Sequence, residues 1–454
     1  MKGGIPIYPG GYGCVFKPQL KCSKSKNKKN KTRKPHNTSA VSKLLFKKYA
    51  DIEMHNIQKF HHALKKIPKS HKYFLFTKTT ICSPAKISSR DLQGFDEMCS
   101  NFTSHGVNES NINAASNIRN LRAINMPNAG ISINEWLFLE DKKENKENKE
   151  NKENKENKEN KETGVVKPLT TSRVKTFNKI ISKLVVNAIA PMNRQGVIHN
   201  DMKEDNILIR STSPTIIDWG ISGISSREHP IPEVIMNRYI SISTPFSSIL
   251  FTTEFGKNYS EFLKQNDIRN ADHVANMRSN TQFIQKLRDF SLAQYLKNKE
   301  YGHYSQIQTF FINVFNAFNG FPNSSIFSEL SQDDIPDTKS PDELYHTIAS
   351  NYISDVLLHF TEFDERDGVV RFQYVAYFTT TYIFNCDIWG TVFCYSVFFY
   401  FQDAYKYDAY IGIPLSVYSH FLRSILSMYM KQVMINGHEK INVSKLAKLV
   451  TSLL

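Results

Sequence analysis

Cysteine is scarce in this chain. Six residues in 454 (Cys14, Cys22, Cys82, Cys99, Cys386 and Cys394) form no Cys-x-x-Cys pair. That absence argues against zinc-ribbon and thiol-redox chemistry, and it sets reduced thiols in an intracellular compartment as the expectation. Acid is almost missing from the first 80 residues, where 19 Lys/Arg face only Asp51 and Glu53, a net of +17 against +15 for the whole chain. The opening residues, Met1 to Pro6, carry no apolar signal core. No long apolar run is free of charge either. Val375 to Phe401 comes nearest, but Asp387 sits mid-span and glycine and hydroxyls dilute it. It reads as a buried core helix rather than a membrane span.

What is present defines a packed protein. Hydrophobic residues make up 40% and charged residues 22%, which excludes collagen-like, wholly disordered and small disulfide-framework classes. The length sets two or three folding units, or one large domain with insertions. A basic front end on a near-neutral body points to a polyanion partner: nucleotide, nucleic acid, membrane surface or acidic protein.

Along the chain, residues 20–37 form a Lys/Asn/Ser run without apolar period, read as an exposed insertion loop. Residues 143–162 repeat Lys-Glu-Asn six times and end in Lys-Glu; with no apolar face, this segment is a solvated insertion. Val174 to Met192 reads as an amphipathic helix, with Phe177, Ile180, Ile181, Leu184, Val185 and Ile189 recurring at spacings of mostly three and four. Short strands are expected at Ile207–Ile209 and Thr215–Ile217. Residues 255–320 and 343–454 read as mostly helical, separated by a turn-rich stretch.

The most informative segment is Val197-Ile198-His199-Asn200-Asp201-Met202-Lys203-Glu204-Asp205-Asn206, followed twelve residues later by Asp218-Trp219-Gly220. Phosphoryl transfer needs this set. One carboxylate orients the attacking hydroxyl, a carboxylate with an amide oxygen holds Mg²⁺, and a lysine neutralises charge on the transferring group. In order and spacing the segment resembles the catalytic loop and metal-binding motif of the protein kinase superfamily. The resemblance implies Asp201 and Lys203 as catalytic residues, Asn206 and Asp218 as metal ligands, and ATP and Mg²⁺ as cofactors.

It also implies further parts. Ile7-Tyr8-Pro9-Gly10-Gly11-Tyr12-Gly13-Cys14-Val15 is similar to the glycine-rich loop, keeping Gly10, Gly13 and Val15 and replacing the first glycine by Tyr8. Ala40-Val41-Ser42-Lys43-Leu44 resembles the strand of the ATP-binding lysine. Glu53 would be its helix partner on Tyr49–Leu64, although ten residues is a short gap and Lys47 and Lys48 are rivals. Asn125-Met126-Pro127-Asn128-Ala129-Gly130 would be the hinge, Met126 included, its backbone meeting the adenine. Asp387-Ile388-Trp389-Gly390 resembles the start of the central kinase helix, where a buried aspartate hydrogen-bonds the catalytic-loop backbone; Asp387 is therefore a structural residue.

The fold implied is α+β and two-lobed, a small β-rich N-lobe and a large helical C-lobe. Residues 1–130 would be the N-lobe and hinge. Residues 131–454 would be the C-lobe, with the low-complexity insertion at 142–163 and a helical insertion over about 250–380, before the central helix. Thr244-Pro245-Phe246-Ser247 is the candidate peptide-binding stretch. Asn200 stands where many kinases carry an arginine that meets an activation-loop phosphate; a neutral amide cannot make that contact, which implies an enzyme not switched on that way.

The implied activity is transfer of the γ-phosphoryl of Mg-ATP to serine or threonine hydroxyls of proteins. The Asp-Trp-Gly, the hinge, the insertion and the Lys/Asn-rich low complexity together resemble the divergent serine/threonine kinases of large DNA viruses, the mimivirus type especially. That would place the chain inside the host cell, in cytoplasm and virion. Two other readings are open: a small-molecule kinase of the choline and aminoglycoside type, and a pseudokinase scaffold. Nucleic-acid binding through the lysines of 17–34 is not favoured, because aromatic side chains are almost absent there.

Overall fold

The computed structural model describes residues 4–10, 13–23, 40–138, 168–319, 340–400, 410–434 and 436–454. Gly11, Tyr12, nearly all of the basic loop, the Lys-Glu-Asn repeat and part of the long insertion lie outside these residues. The chain divides into two compact units. One comprises 1–130 with 208–222; the other comprises 131–207 with 223–454.

The first unit is built on a five-stranded sheet in the order β1-β2-β3-β5-β4. Its strands are β1 (Ile5–Gly10), β2 (Gly13–Lys17), β3 (Ala40–Phe46), β4 (Thr80–Cys82) and β5 (Leu121–Pro127), and each neighbouring pair is antiparallel. Successive side chains of β3 feed two cores, as the period of two requires. Leu44 packs with Phe16, Phe95 and Phe102, while Leu45 packs with Ala50 and Ile124 on the side of helix α1 (Lys47–Leu64). Each fully buried leucine contributes roughly 1.5–3 kcal/mol. The returning segment 208–222 joins this unit through a backbone bond from Ile216 N–H to the Tyr73 carbonyl (2.8 Å) and through Trp219, which packs on Phe60, Phe74 and Phe76.

The cysteines depart from the expectation of free thiols. Cys14 pairs with Cys99 and Cys22 with Cys82, the Cα atoms 5.3 Å and 5.7 Å apart. Only Cys386 and Cys394 are free, both buried. Spacing along the chain conceals these pairs because 85 and 60 residues separate their members; it is the sheet that brings them together.

The second unit is mostly helical: α2 (Thr171–Leu184), α3 (Thr253–Gln265), α4 (Thr281–Leu296), α5 (Tyr304–Asn319), α6 (Pro341–Phe360), α7 (Ile383–Phe393), α8 (Leu415–Met428) and α9 (Val443–Ser452) are its longer helices. Aromatic rings fill its core. Phe246 meets Trp389, Tyr295 and Tyr352 edge-on, with centroids 5.1–5.9 Å apart, the geometry that ring quadrupoles favour. The long insertion is helical in its described parts but also carries a hairpin, Thr361–Asp364 paired with Val369–Phe372. These segments are too short to show a sequence period. Within 375–400 the chain is helical and is buried over most of 381–399, and among the described residues no helix is long and apolar enough to cross a membrane. The mixed α+β class stands.

Candidate active site

In the first unit, β3 carries Lys43 and runs straight into α1, which carries Glu53. No loop intervenes, so a ten-residue gap suffices. Lys43 Nζ lies 3.0 Å from Glu53 Oε1 and 2.9 Å from Oε2. The rivals Lys47 and Lys48 are exposed on the first turn of α1. Burial pulls the Lys43 ammonium down, but the charges of Glu53 and Asp218 outweigh it and hold its pKa above the ordinary lysine value. Asp218 is thus close enough to act on Lys43. Its backbone is left-handed (φ 61°), a conformation that a short polar side chain tolerates better than most, and the buried ring of Trp219 anchors it. Gly10 and Gly13 pair across the β1-β2 turn, beside Tyr8, Ile7 and Val15 on the same hairpin. Met126 sits on β5 opposite Val41. Gly11 and Tyr12 lie outside the described residues.

In the second unit, Asp201, Lys203 and Asn206 converge. Lys203 Nζ is 3.1 Å from Asp201 Oδ2. Asn206 Nδ2 donates to the same oxygen at 2.9 Å and to the Asp201 carbonyl at 2.8 Å, which leaves its amide oxygen as the acceptor. Asp387 clamps this loop from α7. Its Oδ1 accepts from Asn200 N–H at 2.8 Å, and its Oδ2 accepts from His199 N–H at 2.9 Å and from Asn193 Nδ2 at 2.7 Å. Full burial pushes the Asp387 pKa up, opposed by the charge of His199 and by these N–H donors. Gly390 permits the approach of α7, since a Cβ there would lie 2.2 Å from the Met202 carbonyl oxygen. Asn200 is left-handed as well (φ 65°) and buried, with Cys386 Sγ donating to its Oδ1 at 3.7 Å.

Sequence reasoning missed three residues here. Asn193 braces Asp387. Ser243 Oγ donates to Asp201 Oδ1 at 3.3 Å. His303, from the long insertion, receives Ser241 Oγ and Ile242 N–H at its Nδ1 (3.2 and 3.3 Å). No spacing rule connects these positions, which meet only in the folded chain. One expectation is corrected. Thr244-Pro245-Phe246-Ser247 is buried, with Phe246 beneath Trp389, so it offers no side-chain face to a peptide. The kinase resemblance proposed the stretch by its place in the chain, and place alone does not show that Phe246 is packed in the core.

Within the first unit, Lys43 can neutralise phosphate charge and Asp218 can offer a hard oxygen ligand to a divalent cation; within the second, Asp201 can accept a proton from a hydroxyl, Lys203 can neutralise phosphate charge and Asn206 can offer an amide oxygen to a cation. No protein-family model matches the chain, and no curated protein matches it in sequence.

Proposed function

We propose that the chain is an ATP-dependent serine/threonine protein kinase, two-lobed in the manner of that superfamily and of the divergent type carried by large DNA viruses. The observation that carries the reading is the Asp201 carboxylate, held by Lys203 and Asn206 on a loop whose backbone Asp387 clamps. The Lys43–Glu53 pair under the charge of Asp218 supports it independently.

Asp201 orients a serine or threonine hydroxyl and takes its proton. Lys203 supplies positive charge to the transferring group, and Lys43, steadied by Glu53, does so for the other phosphates of ATP. Asp218 and the Asn206 amide oxygen are hard donors that fit Mg²⁺. When bound, that ion neutralises phosphate charge. Most of the rate then comes from positioning and preorganised charge.

The burial of Thr244–Ser247 favours a second reading, a small-molecule kinase, because it removes the stretch expected to face a peptide. The deciding experiment is transfer from labelled ATP, with Asp201→Asn as control, to a mixed protein extract and separately to amino alcohols and aminoglycosides. The protein-kinase reading expects phosphoserine or phosphothreonine, lost in the variant while Mg-ATP binding is spared. Label on small molecules alone selects the second reading; Mg-ATP binding without transfer selects a pseudokinase.

A further inference from the structure

Away from the residues above, a second cluster of chemistry-bearing side chains forms where the last turn of α6 meets residues 436–441. Asp355 and His359 are one helical turn apart on α6, so both project from one face. Gly437 lets the later segment lie against that helix: a Cβ there would fall 2.6 Å from Val356 Cγ2 and 2.8 Å from the Tyr352 carbonyl oxygen. That approach delivers His438. Its backbone N–H donates to Asp355 Oδ2 at 3.2 Å, and its Nδ1 lies 2.6 Å from the same oxygen. His359 Nδ1 lies 3.3 Å from Asp355 Oδ1 and 2.9 Å from the Asp355 carbonyl oxygen. The two imidazoles stack face to face, 3.4 Å between centroids and 1° between planes. Glu439 Oε1 is 3.6 Å from His438 Nε2.

We propose that Asp355, His359 and His438 form a three-residue binding site for a divalent transition-metal ion of the zinc class. Ligand atoms of these three residues fall within 4.8 Å of one another, and turning the two imidazoles out of their stack closes that span onto bonds of about 2.0–2.2 Å. Two imidazoles and one carboxylate favour zinc over Mg²⁺ or Ca²⁺, which prefer all-oxygen ligands. The His359 side chain is 48% exposed and the other two ligands 22–25%, so an ion can enter from solvent.

The site is structural. It clips α6 to a segment that is itself tied to α7: Asn385 Nδ2 donates to the Glu439 carbonyl at 2.7 Å, and Asn385 Oδ1 accepts from Ile441 N–H at 2.9 Å. Asn385 stands two residues before Asp387 on the same helix. A metal here steadies the helix from which the 199–200 backbone is held.

The test uses the untagged full chain, stripped with chelator and free of nucleotide, so its outcome is independent of the kinase reading. Calorimetric titration with Zn²⁺ is expected to show one equivalent bound. Co²⁺ in its place is expected to give four-coordinate d–d bands without thiolate charge-transfer absorption. His359→Ala and His438→Ala should each weaken binding by at least about 10-fold. Saturating Zn²⁺ should raise the unfolding temperature of the wild type but not of the double variant. His359→Gln, on a half-exposed helix end, serves as the variant that keeps its fold, verified by circular dichroism. Absence of stoichiometric binding, unchanged affinity in the double variant, or a cobalt spectrum dominated by thiolate overturns the proposal.

Discussion

The carboxylate of Asp387 holds the backbone N–H groups of His199 and Asn200 at once, one on each oxygen, at 2.9 Å and 2.8 Å. An amide cannot replace it, because its NH₂ would face a donor. Asp387→Asn therefore leaves a buried N–H without an acceptor and should lower the unfolding free energy by about 1–3 kcal/mol. Urea unfolding measures this, with an unchanged slope showing that the loss is one of stability. Amide exchange at 199 and 200 should accelerate in parallel. A variant as stable and as protected as the wild type would refute the clamp.

Lys43 and Glu53 give the second prediction, which rests on the proposed function. Removing a charged donor from a phosphate costs about 1.5–3 kcal/mol, so Lys43→Met should weaken Mg-ATP binding by about 10–100-fold. Glu53→Gln keeps the lysine but removes the carboxylate that steadies it, and a loss of a few-fold is expected. Both variants should also lower the unfolding free energy, by about 1–3 kcal/mol, because each leaves a mostly buried charge without its partner. Calorimetry with Mg-ATP reads the first effect and urea unfolding the second. Equal ATP affinity in the wild type and Lys43→Met would remove Lys43 from the site.

Disulfide pairing predicts a thiol count. Without reductant, the unfolded chain should react with a thiol reagent at Cys386 and Cys394 only; after reduction, Cys14, Cys22, Cys82 and Cys99 should react too. Each bond closes a long loop, and removing one typically costs about 2–5 kcal/mol. Cys14→Ser with Cys99→Ser should therefore lower the unfolding midpoint. Six reactive thiols in the unreduced chain would contradict the pairing.

How much of this was legible in the sequence follows from the reach of each interaction. Asp201, Lys203 and Asn206 lie within six residues on one loop, so spacing alone places them together. Lys43 and Glu53 were legible because strand and helix are contiguous. The disulfides, the Ser243 contact to Asp201 and the meeting of Asp355 with His438 join positions 42 to 85 residues apart, which only the tertiary fold decides. Thr244–Ser247 misled for a different reason: the resemblance assigned it by order along the chain, and order does not show that Phe246 packs against Trp389.

His303 gives a prediction in pH. Its Nδ1 accepts Ile242 N–H, and its own backbone N–H donates to the Ile240 carbonyl at 3.0 Å. Ser241 Oγ then meets Ser243 Oγ at 2.8 Å, and Ser243 meets Asp201. Burial lowers the His303 pKa from its ordinary value, the Lys203 charge lowers it further, and Asp201 opposes both. The unfolded chain therefore takes up this proton at higher pH than the folded one. The stability contribution is fully present above the unfolded value of about 6.5 and is lost as pH falls below it towards the folded value. His303→Gln keeps a hydrogen-bonding side chain without the titration. The difference in unfolding free energy, wild type minus variant, should be flat above about pH 7 and should decline through the acid range below it. Subtraction cancels the other histidines, so a difference that does not change with pH would show that protonating His303 costs the fold nothing. A declining difference shows that the neutral imidazole of His303, which holds Ser241 and Ile242, stabilises the folded chain.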